Sequence, residues 1–220
     1  MGFVTNVLQN AEGFIAAHTQ LTHAPLVPEI ALLLATEITP IWQASEAWLA
    51  AHDLPPPYWA FAWPGGQALA RHILDNPALV AGRRVLDFAS GCGLAAIACV
   101  KSGAAQVLAA EIDAFAAVAI RLNAAQNGIP IDVFTGDMVG RPTTAWDLIL
   151  CGDVCYEGPM TRHILPWLQS AAQVSEVWIA DPGRAYLPKD GLSRQAAYSV
   201  PTTLELEDRT SCEVTLFRLQ

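Results

Sequence analysis

The chain has 220 residues, 53% hydrophobic and only 15% charged, a composition that excludes an intrinsically disordered protein. Its net charge is −9, and residues 1–70 hold five acids but no Lys or Arg. Such a surface repels phosphate backbones and attracts Lys-bearing segments, so nucleic acid is not expected as a partner.

The predicted elements begin with a helix over 3–19. Pro28 suits a helix N1 position and predicts a second helix through Thr36. A third is expected over 41–52. Together they suggest an N-terminal helical extension over 1–55, ahead of a core over 56–220. The apolar run at 31–35 is too short to span a bilayer, and residues 1–20 lack the basic region of a secretory signal. A cytoplasmic location without a membrane partner is therefore expected.

Four prolines and four aromatic residues crowd the segment 55–66, which opens on three of those prolines and ends in Gly65 and Gly66. Prolines stiffen this stretch, and its aromatics suit either a packing plug or the wall of a ligand pocket. A helix is expected over 67–75. From residue 83 the pattern alternates regularly, with strands predicted over 83–88, 106–113, 131–137, 146–153 and 176–181. Helices are expected over 94–103, 114–128 and 159–171. Alternation of this kind predicts βαβ units and a mostly parallel sheet. The segments 199–208 and 212–219 read as a closing hairpin. The five cysteines show no C-x-x-C spacing and the five histidines share no ligand spacing, so free thiols and no metal site are expected.

The motif Asp87-Phe88-Ala89-Ser90-Gly91-Cys92-Gly93 joins a strand to a helix. Gly91 and Gly93 allow close backbone approach, and the helix start offers free N–H groups. The glycines alone also fit a dinucleotide site. Asp87, however, would face a pyrophosphate unfavourably and suits an ammonium group, and Ala89 and Ser90 lengthen the loop. Both features favour S-adenosylmethionine, which carries an amino-acid end and a cationic sulfonium. Glu111, followed by Ile112, sits where an acid binds ribose hydroxyls. Asp137, followed by Met138, can accept from an adenine amine or be a solvated turn acid. Asp153 and Tyr156 follow the fourth core strand, where Asp153 either orients an acceptor amine or caps a helix. Arg184, after Asp181-Pro182-Gly183, is a further substrate-binding candidate.

Taken together, these motifs resemble the class I, seven-stranded methyltransferases. The Asp153-Val154-Cys155-Tyr156 run is similar to the D-x-x-Y motif of the family 16 protein lysine methyltransferases. With PPYWAFAWPGGQALARHIL and DPGR, the likeness is greatest to the electron transfer flavoprotein β-subunit lysine methyltransferases, over about residues 25–190. The resemblance implies an α/β, Rossmann-like sheet of order 3-2-1-4-5-7-6 with an antiparallel last strand. It implies S-adenosylmethionine as cofactor and a protein lysine as acceptor, in the flavoprotein β-subunit or in a ribosomal protein. It places Trp63 beside the cofactor and Asp153 and Tyr156 at the acceptor lysine. A small-molecule methyltransferase and an NAD-dependent oxidoreductase remain the alternatives.

Overall fold

The computed structural model describes residues 10–37, 39 and 56–220. Its centre is a seven-stranded sheet of order β5-β4-β3-β6-β7-β9-β8. The strands are β3 (Arg84–Phe88), β4 (Gln106–Glu111), β5 (Asp132–Thr135), β6 (Leu148–Gly152), β7 (Glu176–Asp181), β8 (Leu192–Pro201) and β9 (Ser211–Leu219). β5, β4, β3, β6 and β7 run parallel, and β9 is antiparallel to both β7 and β8. Counted from β3, this is the predicted 3-2-1-4-5-7-6 order.

Alternate residues of each strand feed cores on opposite faces, as the pleat requires. Val85, Leu148 and Leu150 join one core with α2 (Pro64–Asp75) and α3 (Leu94–Lys101). Leu86, Ile149 and Cys151 join the other with α5 (Gly158–Ala171). α4 (Ala114–Gln126) starts at Asp113, whose carboxylate accepts the N–H of Phe115 at 2.8 Å. The central parallel strands are apolar on both faces because both are covered.

The N-terminal segment differs from expectation. α1 (Ala11–His18) lies within the predicted first helix, while the part before residue 10 and the expected helix over 41–52 lie outside the described residues. The predicted helix from Pro28 to Thr36 is instead a strand. β1 (Gln20–Ala24) and β2 (Val27–Leu34) form an antiparallel hairpin. Ile30, Leu32 and Leu34 bury against the sheet's helices at period two. That burial overrides the helix propensity of the Ala-Leu run.

The closing hairpin also shifts. β8 begins at Leu192, earlier than predicted, and Leu204–Glu207 winds into one helical turn, α6. The alternation of Leu and Glu there imitates a strand. Among the described residues no helix is long and apolar enough to cross a membrane. All five cysteines are free and buried.

Candidate active site

The carboxyl ends of β3, β4, β6 and β7 form the edge where ligands bind in open α/β sheets. A crevice of about 390 Å³ opens beside them, lined in part by Phe61, Trp63, Gly66, Asp87, Ser90 and Gly91. Ala89 lines it too, and adopts a left-handed φ of 53°. Asp153, just past β6, has a left-handed φ of 55°. Side chains other than Gly occupy that region at a cost, so their presence at adjacent strand ends marks a constrained site.

Asp87 forms the crevice floor. Its Oδ2 accepts from the Ser90 hydroxyl and from the N–H of Ala96 at 3.0 Å in the first turns of α3. Burial pushes its carboxyl up to about 6, against the pull of these two hydrogen bonds. Gly91, with a φ of 56°, has open space where a Cβ would project. Its N–H donates to Glu111 Oε2 at 3.0 Å, while Glu111 Oε1 accepts from the N–H of Ile112 at 2.9 Å. Burial raises the Glu111 carboxyl as well. Ile112 itself is 72% exposed beyond that carboxylate. Gly93 lies deeper, against Ile120 of α4.

The aromatic wall comes from the proline-stiffened segment. The Trp63 indole N–H donates to the Tyr58 carbonyl at 2.8 Å. Its ring lies 5.8 Å from Phe61 and 6.0 Å from Tyr58, and Tyr58 lies 5.5 Å from Tyr156. Tyr156 is thus tied to the wall, with its ring 41% exposed at the rim. Burial pushes its phenol up to about 12.

Asp153 is more enclosed than the sequence suggests. Its Oδ2 accepts the N–H of Gly65, and its Oδ1 pairs with Arg184 Nη2 at 3.0 Å. Burial pushes the carboxyl up to about 6 even though the Arg184 charge opposes it. The helix it caps is α2, not the one that follows it in the chain. Arg184 also grips Glu207 through both Nη atoms, at 2.9 and 2.5 Å. Glu207 was not legible as a site residue, because only the α6 turn brings it here.

Asp137 and Met138 stand apart from these groups. Asp137 accepts from the N–H of Val139 at 2.8 Å and pairs with His163 at 2.9 Å. The Met138 side chain is buried in the core with Phe88 and Trp167. Among the described residues no group of three His, Cys, Asp or Glu side chains could hold a metal ion.

Comparison with known proteins decides between the readings of this crevice. Residues 63–153 match the methyltransferase small domain family. The electron transfer flavoprotein β-subunit lysine methyltransferase of Danio rerio is 40% identical over 206 residues, covering 90% of this chain and 78% of that protein. Its Xenopus laevis counterpart is 41% identical, covering 89% and 81%. The chain belongs to the electron transfer flavoprotein β-subunit lysine methyltransferase family. A magnesium protoporphyrin IX methyltransferase from Synechocystis is 18% identical over 70% of this chain and 79% of its own, with a TM-score of 0.53, and shares the fold.

Membership makes this protein a methyltransferase with S-adenosylmethionine as its cofactor, and the crevice suits that molecule. Its lining holds a buried carboxylate, a glycine with room for close approach, aromatic faces and no Lys or Arg. A cationic donor is favoured by such a set, and a pyrophosphate is not.

Proposed function

We propose that this methyltransferase transfers methyl groups from S-adenosylmethionine to lysine side chains of a protein, the electron transfer flavoprotein β-subunit. The main support is the extent of the likeness, since relatives of that name align over about nine-tenths of this chain. When bound, the cofactor supplies an electrophilic methyl group on a positively charged sulfur.

In this reading Asp87 and the backbone of the Gly91–Gly93 loop hold the cofactor's amino-acid end. Glu111 and Ile112 hold the ribose, Asp137 and the Met138 backbone the adenine side, and Trp63 supplies an aromatic face. Asp153 and Tyr156 serve the acceptor amine. Both Asp153 oxygens already accept hydrogen bonds, so its part is electrostatic. It ties the end of β6 to the start of α2, and its negative field orients the amine. The amine's proton leaves to water at the open rim beside Tyr156. Positioning and electrostatics thus carry the rate enhancement.

The test is incubation of the purified protein and the flavoprotein β-subunit with methyl-labelled cofactor, followed by mass spectrometry of the peptides. Label on lysine is the expected result. Label on a small metabolite alone would overturn the reading.

A further inference from the structure

Asn123 lies inside α4 with no exposed surface. Asn is a poor helix-interior residue because its amide competes for backbone partners. Here both ends of the amide are used away from the helix. Oδ1 accepts the N–H of Leu33 at 2.7 Å, on the edge of β2. Nδ2 donates to the carbonyl of Cys92 at 2.8 Å. Cys92 sits between Gly91 and Gly93, at the centre of the cofactor loop.

One turn further along, Asn127 makes only the first of these links. Its Oδ1 accepts the Ala31 N–H at 3.2 Å and its Nδ2 donates to the Ala31 carbonyl at 2.7 Å. Both asparagines therefore latch the β2 edge, but Asn123 also reaches the loop. Other contacts converge on the same helix and hairpin. A Cβ on Gly93 would meet the Ile120 side chain at 3.1 Å. The N–H of Ala35, just past β2, donates to the Ala60 carbonyl at 2.8 Å. Trp59 stacks on Phe115 of α4, with ring centroids 6.3 Å apart. The hairpin and α4 thus hold both the glycine loop and the start of the aromatic wall.

We propose that Asn123 is a positioning residue for the cofactor loop, and that through it the N-terminal hairpin sets cofactor affinity. The proposal rests on the reading that this loop holds S-adenosylmethionine. Gly91 and Gly93 have left-handed φ values of 56° and 83°, so little in their own chemistry confines the loop. The Gly91 N–H bond to Glu111 fixes one side of the loop, and the buried hydrogen bond from Asn123 to the carbonyl between the two glycines fixes the other. Ligand grip depends on such pre-positioning.

The experiment compares Asn123→Leu, Asn127→Leu and the wild type by calorimetric titration with S-adenosylhomocysteine, well below each melting temperature. Asn123→Leu loses both amide hydrogen bonds, and the loss of the one to Cys92 is expected to weaken binding about tenfold or more. It is also expected to raise KM for S-adenosylmethionine more than it lowers kcat. Asn127→Leu is expected to melt earlier yet keep wild-type affinity. Should Asn123→Leu not fold, Asn123→Ser, too short to reach Cys92 but still polar, takes its place with the same expectation. Wild-type affinity in the Asn123 variant, or equal weakening in the Asn127 variant, would overturn the proposal. A wild type that does not bind S-adenosylhomocysteine would instead overturn the cofactor reading beneath it.

Discussion

The carboxylate of Asp153, just past β6, caps the first turn of α2 by accepting the N–H of Gly65, 88 positions earlier in the chain. The same carboxylate is tied through Arg184 to Glu207 on the far hairpin. One side chain thus joins the helix beside the cofactor crevice, the end of a central strand and the sheet's antiparallel edge. Its consequences are both structural and chemical, and different substitutions separate them.

Asp153→Ala removes the cap and leaves Arg184 with Glu207 alone. Breaking a buried ion pair on one side costs about 3–5 kcal/mol. Denaturant unfolding is expected to show a loss of that order, with methyl transfer abolished. Asp153→Asn keeps an oxygen for the Gly65 N–H while losing the charge. It is expected to fold, to bind S-adenosylhomocysteine in calorimetry about as well as the wild type, and to lose turnover. A normal kcat in the Asn variant would remove the Asp153 charge from the reaction.

Gly65 and Gly66 differ sharply although they are neighbours. A Cβ on Gly65 would lie 2.6 Å from the Ala180 carbonyl oxygen and 2.8 Å from the Asp153 nitrogen, and would strike the Asp153 carboxylate. Neither backbone atom can give way. Gly65→Ala is expected to destabilise the protein by at least ~1–3 kcal/mol. A Cβ on Gly66 meets nothing within 4 Å. Gly66→Ala is expected to leave the melting temperature unchanged or raise it, since Ala favours the helix over Gly, so equal destabilisation in the two variants would contradict the packing described.

Asp87 and Asp153 both have carboxyls pushed by burial from an ordinary 3.8 to about 6. A raised folded-state value means that protonation favours the fold. Their contribution is fully present below the unfolded value and is lost as pH rises through about 6. Thermal melting followed across that interval is expected to show a component of stability that declines with pH. Asp87→Asn is expected to weaken it, leaving the share that Asp153 contributes. Cofactor affinity runs the other way, because an ammonium group is held by the ionised form of Asp87. Calorimetry is therefore expected to show S-adenosylhomocysteine binding that tightens as pH rises through about 6. Affinity that is flat with pH would count against Asp87 as the ammonium's partner.

Tyr156 packs its ring against Tyr58 and presents its edge to solvent. Tyr156→Phe keeps that packing and removes only the hydroxyl. If the hydroxyl orients the acceptor amine, kcat is expected to fall by about tenfold or more, equivalent to ~1.4 kcal/mol of barrier. The dissociation constant for S-adenosylhomocysteine and the melting temperature should stay as in the wild type. Steady-state kinetics on the protein acceptor, set beside calorimetry, separates the two effects.

The amino-acid sequence determined the parallel core and the place of the glycine loop that follows β3. From Arg84 to Asp181, apolar runs, Gly stops and the Asp113 cap all agree with the observed elements, because each is set by local periodicity and backbone chemistry. Asp87, Gly91 and Glu111 were legible as candidates for the same reason, since they fall at or just past strand ends fixed by that pattern. Tertiary structure alone decided the hairpin at β1–β2, where burial and the amides of Asn123 and Asn127 outweigh the helix propensity of Ala31 through Leu34. It alone enclosed Asp153 beneath Gly65 and Arg184, and drew Glu207 to the site through the turn at α6. Such contacts join residues far apart in the chain. They depend on which buried polar groups need a partner once the layers have packed, a condition no local window of sequence contains.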